Sequence, residues 1–294
     1  MSVAALQAAM RPLLIARDAW RGATRAARPT GLPPDLAWAV GHSGVKPRPP
    51  ESGYRNRLLQ AIPDHLGEPK WMARCPMEGI GPVRAALDRG RPVILAFAHI
   101  GPSYLLRCWL RAAGLPAATL VRGKAGRRAP LMRFKDQFSP FPEVPTALHQ
   151  DELRSVAGFL AAGRPLLVAV DVPAGRQMMV PFADGWNFRM ATGAVRLAIR
   201  HRAALIPCSI VEEDIWRFRI RFGPPVPAAC LREGANWAEA GACVSRSLIP
   251  HFQSAPGQCT RLLMRCFSVA GTASASRREG GATEKVAPRA GADM

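Results

Sequence analysis

The sequence predicts an α/β fold: a mainly parallel central sheet covered by helices on both faces, in a single domain. Three observations predict it. Continuous apolar runs of strand length recur at residues 92–98, 165–171 and 204–211, the signature of strands buried on both faces rather than of a half-exposed sheet. Segments of helical spacing separate these runs. The 294 residues are 48% hydrophobic, ample for a buried core, and no clear linker divides the first 270.

The elements follow in order. Residues 2–28 read as a helix ended by Pro29 and Gly31. At about 100° per residue, Leu6, Met10 and Leu13 share a side with Arg17, Arg21 and Arg28, so the helix changes from apolar to basic along its length. Either its apolar end dips into a membrane interface while the arginines meet lipid phosphates, or the apolar half packs on the domain. A secretory signal is disfavoured, because the charge follows the apolar run. Residues 29–53, rich in Pro and Gly, form a loop or wrapping arm. Residues 54–270 form the α/β domain. It opens with a short helix (82–88), a buried strand (92–98), and a helix (103–113) with Leu106, Trp109 and Leu110 inward. A strand (117–121), a helix (151–161), a buried strand (165–171) and a helix (192–201) come next. Strands at 204–211 and, with alternating character, at 216–222 precede a final helix over 237–252. Residues 271–294, rich in Ala, Gly, Ser and charge, read as a disordered tail.

Composition narrows the function classes. Forty basic residues face 21 acidic ones, a formal charge of +19. The tail carries four basic and three acidic groups, so the folded body keeps +18. That excess implies an acidic partner: an anionic membrane surface, a phosphorylated substrate, an acidic carrier protein or nucleic acid. Only five of the basic residues are Lys, a bias a GC-rich genome also produces, so arginine identity alone carries little. The seven cysteines are odd in number and never two residues apart, which suggests reduced thiols rather than a disulfide framework or a zinc ribbon. No stretch reaches 18 consecutive apolar residues; Arg11 and Arg17 interrupt one apolar segment, Arg107 and Arg111 another.

The most informative segment is Val93-Ile94-Leu95-Ala96-Phe97-Ala98-His99-Ile100-Gly101-Pro102-Ser103-Tyr104. A buried strand delivers His99 to its carboxyl end, Gly101 permits a sharp turn, and Pro102 suits the start of a helix. Open α/β sheets place their chemistry at that edge. An imidazole there is either a general base held close to neutral or a histidine that finishes the strand and bonds a nearby carbonyl. Asp171 closes the next apolar strand in the same way, followed by Val172-Pro173-Ala174-Gly175. Thr192 and Gly193 can open the helix that carries Arg196, with N–H groups suited to a phosphate or carboxylate. Arg196 can equally be a solvated helix residue, and Phe182, Trp186 and Phe188 ordinary core.

These residues resemble the lysophospholipid acyltransferase superfamily, in particular the late acyltransferases of lipid A biosynthesis. The likeness covers roughly residues 70–265. It rests on His-x-Gly before a helix, the Asp-ended strand, Phe182-x-x-Gly185, the run Thr192-Gly193-Ala194-Val195-Arg196-Leu197-Ala198, and Ala204-Leu205-Ile206-Pro207. Ala255-Pro256-Gly257-Gln258 is similar to a Pro-x-Gln element near that subfamily's C-terminus. The resemblance implies a glycerolipid acyltransferase-like fold and transfer of a fatty acyl group from a thioester to a hydroxyl of a membrane lipid or lipid A-like acceptor. Acyl carrier protein or coenzyme A is the donor, and no bound cofactor or metal is implied. The expected place of work is the cytoplasmic face of the inner membrane, as a peripheral protein. His99 maps onto the base of the family's H-x-x-x-x-D/E motif. Phe182, Gly185, Thr192, Gly193, Arg196 and Asp171 are the expected substrate-binding residues. Arg122, where the family has a basic residue, is expected to hold an acceptor phosphate or a pantetheine phosphate, at the head of a basic segment reaching Lys135.

The motif's acidic position is Tyr104. A phenol can accept a hydrogen bond and fix the ring's tautomer, but supplies no charge to an imidazolium. Three outcomes follow: a slow or altered acyltransferase with His99 and Tyr104 as its catalytic pair, one recruiting Asp171 or another carboxylate, or a catalytically impaired lipid-binding relative. A serine hydrolase built on Ser103 is disfavoured, because Gly101-Pro102-Ser103-Tyr104-Leu105 lacks the second glycine of a nucleophile elbow. No G-x-G-x-x-G follows a strand, and no nucleic-acid-binding motif accompanies the charge, so specific nucleic-acid binding is not expected.

Overall fold

In the computed structural model the run Val93–Phe97 is buried at every residue, and its side chains divide between two cores. Ile94 and Ala96 enter one; Val93, Leu95 and Phe97 enter the other. A pleated strand points successive side chains to opposite faces, so an apolar run without alternation needs cover on both sides. The structure describes residues 72–121, 141, 143–145, 147–149, 153–172, 175–182, 185–214, 217–255 and 258–269. The expected N-terminal helix and arm, the basic segment from Arg122 to Lys135 and the tail lie outside the described residues.

In chain order the elements are β1 (Met77–Glu78), α1 (Gly81–Asp88), β2 (Val93–Phe97), a 3-10 turn (Ser103–Leu105), α2 (Leu106–Ala112), β3 (Ala118–Val121) and β4 (Ala147–His149). They continue as α3 (Leu153–Ala161), β5 (Leu166–Ala169), β6 (Gln177–Pro181), β7 (Trp186–Ala191), α4 (Gly193–Arg200), β8 (Ala204–Asp214) and β9 (Arg217–Phe222). A 3-10 turn (Ala228–Leu231), α5 (Trp237–Ser254), α6 (Arg261–Met264) and β10 (Phe267–Val269) complete the described chain. Among the described residues the main sheet has seven strands, ordered β1-β9-β8-β2-β5-β3-β4. Every neighbouring pair is parallel except β8 and β9. The fold is therefore mixed α/β with a mostly parallel central sheet. Residues of α3, α4 and α5 contribute to one core and those of α1 and α2 to the other.

Three features depart from the sequence expectation. The helix expected from 103 begins as a 3-10 turn and becomes α-helical at Leu106. The aromatic stretch after Asp171 is a hairpin, β6 against β7, extended by β10 into a second, antiparallel sheet. Its strands lack clean alternation, and Pro181 is the last residue of β6, which sits at the edge of that sheet where a missing N–H is tolerated. Arg107 and Arg111, which interrupt an apolar run, are both buried. Arg111 donates to the carbonyls of Ala117 and Val144 at 3.0 Å and of Phe141 at 2.5 Å, the pairing a buried cation requires. No helix among the described residues is long and apolar enough to cross a membrane.

Candidate active site

The parallel ladder sets the geometry. Phe97 pairs with Ala169, and the Val170 N–H donates to the Phe97 carbonyl at 2.8 Å. His99 and Asp171 therefore each lie two residues past the same rung of β2 and β5. Asp171 Oδ1 is 2.7 Å from His99 Nδ1, and Oδ2 accepts the His99 backbone N–H at 3.1 Å. A carboxylate only accepts, so Nδ1 carries the proton and the neutral ring's lone pair falls on Nε2. Asp171 is fully buried, whereas the His99 side chain is 31% exposed. The ring is thus anchored at one nitrogen and reachable from solvent.

Electrostatics follow from that anchoring. Burial alone pushes the imidazole pKa down, but the hydrogen bond and the charge of Asp171 together outweigh it, and the net direction is up. This is how a buried acid strengthens a base and stabilises the imidazolium it becomes.

The turn carrying His99 is fixed from a third direction. Gly101 has φ +57°, and a Cβ on it would meet the Ile210 carbonyl oxygen at 2.5 Å and Gln258 Oε1 at 2.9 Å, so only glycine fits. The Gly101 N–H donates to the Gln258 carbonyl at 3.0 Å, and the Thr260 N–H donates to the His99 carbonyl at 3.1 Å. Ile100 and Cys259 form an antiparallel bridge between these contacts. The Gln258 amide in turn clasps β8: Oε1 accepts the Glu212 N–H at 2.9 Å and Nε2 donates to the Glu212 carbonyl at 2.6 Å. Residues 258–260 thus act as a strap over the His99 turn.

Tyr104 occupies the 3-10 turn, partly buried against the core of α1 and α2. Burial, then the nearby charge of Glu212, raises its phenol pKa. The acid on His99 Nδ1 comes from Asp171 and not from position 104. Asp171 is fully buried and its side chain is turned to His99, the arrangement of a positioning residue. Phe182 is buried as well. It is 6% exposed, with ring centroids 4.8 Å from Phe267 and 5.1 Å from Phe252, in an aromatic core beneath the second sheet.

Gly185 has φ +80° in the connection from β6 to β7, a backbone role. Thr192 is buried, and both its N–H and its hydroxyl donate to the Arg176 carbonyl at 3.0 Å. Gly193 opens α4, and Arg196 stands exposed on it. Ala191 N–H donates to the Val170 carbonyl at 2.7 Å, which seats Thr192 and Gly193 near the end of β5. Arg122 lies outside the described residues. Arg176 and Trp237, which the sequence reading did not single out, meet Arg196 there: both guanidiniums lie over the Trp237 ring. Nothing local in the sequence announces that contact, because it joins a loop and two helices. Among the described residues no group of three or more His, Cys, Asp or Glu is placed to hold a metal ion.

A scan against protein-family models and a search of curated proteins give no match to this chain.

Proposed function

We propose that the chain transfers a fatty acyl group from an acyl thioester, on acyl carrier protein or coenzyme A, to a hydroxyl of a membrane lipid or lipid A-like acceptor. The observation that carries the reading is the His99–Asp171 pair at the carboxyl edge of a mostly parallel sheet, with the imidazole partly exposed and its acid wholly buried. His99 Nε2 takes the proton of the acceptor hydroxyl as its oxygen attacks the thioester carbonyl. The tetrahedral adduct collapses, the carbon–sulfur bond breaks, and the departing thiolate recovers the proton from the imidazolium. Asp171 stabilises that imidazolium. A fixed base of this kind suits any deprotonation of a hydroxyl. Acyl transfer in particular is supported by the order of the motifs from His99 to Gln258 and by the +19 charge, which favours an anionic lipid surface and an acidic carrier.

The test is transfer of label from acyl thioesters to a panel of lysophospholipid, lipid A precursor and glycolipid acceptors, with His99→Ala as comparison. Turnover that disappears in His99→Ala supports the reading. Lipid binding without turnover in the wild type would instead identify a catalytically impaired relative.

A further inference from the structure

Arg176 and Arg196 share one indole. The guanidinium carbon of Arg176 lies 4.9 Å from the Trp237 ring centroid, and that of Arg196 lies 5.9 Å from it. Trp237 is the first residue of α5 and is half-buried, a firm base for both. The two arginines are also tied through the backbone. Thr192 holds the Arg176 carbonyl with two hydrogen bonds at 3.0 Å, and Arg196 stands on the helix that Thr192 precedes. The Ala191 N–H donates to the Val170 carbonyl at 2.7 Å, which ties the chain entering α4 to the residue before Asp171.

Two like charges gathered on one ring leave their chemistry largely unused. A cation over an exposed aromatic face gains only a small stabilisation, and the contact consumes none of a guanidinium's five N–H donors. Both side chains are exposed, and among the described residues neither pairs with a carboxylate or donates a hydrogen bond. An anion between them relieves the repulsion and fills those donors. Phosphate is the matching anion, because its several oxygens can serve two arginine forks at once, whereas the two oxygens of a carboxylate suit one.

We propose that Arg176, Arg196 and Trp237 form a phosphate-binding site where α4 and α5 begin, which takes the phosphate group of an organic phosphate. The inference rests on the proposed function only in assigning that phosphate to a substrate of His99. The phosphate comes either from a pantetheine-bearing donor or from a lipid headgroup, and the site's chemistry is the same for both.

The experiment titrates the full chain with coenzyme A by calorimetry and, separately, sediments it with phosphatidylglycerol or phosphatidylcholine vesicles. The paired variants are Arg176→Gln with Arg196→Gln, and Arg176→Lys with Arg196→Lys. Arg200→Gln, exposed at the far end of α4, is the control. The wild type is expected to bind at least one phosphate probe. The Gln pair should weaken that binding tenfold or more, the Lys pair less, and Arg200→Gln less than twofold. A loss confined to coenzyme A assigns the donor; a loss confined to phosphatidylglycerol assigns the lipid. Equal affinities in the wild type and the Gln pair, an equal loss from Arg200→Gln, or no binding to either probe overturns the site. Because these are binding measurements, phosphate binding in a chain without turnover would sink the acyl-transfer reading and leave the site standing.

Discussion

Asp171 grips His99 at two points, with Oδ1 2.7 Å from Nδ1 and Oδ2 on the backbone N–H at 3.1 Å, across 72 residues of sequence. Holding both the ring and the peptide leaves the imidazole little freedom to turn about its own backbone. The consequences for rate and pH can be measured.

Asp171→Asn should lower turnover by up to about four orders of magnitude, by analogy with neutralising the orienting acid of a catalytic triad. The pH profile should move with it. His99 must be neutral to act as a base, so the rate rises as pH climbs through its raised pKa. Asparagine removes the influence that raises that pKa and leaves the burial that lowers it, so the ascending limb shifts to lower pH. Rate–pH curves of both proteins check the direction; an unmoved limb would remove Asp171 from the chemistry.

Tyr104→Phe should change turnover by less than about threefold, because the charge on Nδ1 comes from Asp171. Tyr104→Glu should give no gain, since it sets a carboxylate in a partly buried turn close to Glu212. A rise in transfer on Tyr104→Glu would return the acid's role to position 104.

Gly101→Ala should destabilise the fold by at least about 1–2 kcal/mol, since φ is +57° and two oxygens crowd the new methyl. Gln258→Ala should be milder in melting temperature yet costly in rate, because it frees the His99 turn from β8. Thermal unfolding and turnover measured together separate the two effects. Equal proportional losses in both variants would mean that the strap is only structural.

His251 predicts acid sensitivity. Burial, helped by Arg221 and opposed by Glu78, lowers its pKa from 6.5 to about 4. The unfolded chain takes up a proton that the fold resists, so this stability is present above pH 6.5 and is lost as pH falls through 4. The loss amounts to about 3 kcal/mol over that window. Unfolding free energies of wild type and His251→Gln between pH 7 and 4 should converge toward the acid end.

How much was legible depended on how local each signal was. The strand ending at His99 was readable because burial on both faces imposes an unbroken apolar run, and Asp171 was readable as a strand-ending carboxylate for the same reason. The antiparallel hairpin of β6 and β7 was not, since its core-facing residues follow an irregular pattern and β6 ends on a proline. Whether Phe182 packs with other aromatics is not legible locally, because its ring neighbours Phe252 and Phe267 lie 70 and 85 positions away.

The sequence by itself determined the alternation of buried strands and helices, the basic excess, and the delivery of a histidine and an aspartate to strand ends, because each is written in composition or short-range period. Only the tertiary structure decided that these two meet, that Gln258 straps their turn, and that two arginines share Trp237. Those outcomes depend on which strands are neighbours and in what register, and pairing between distant segments leaves no mark on either segment alone.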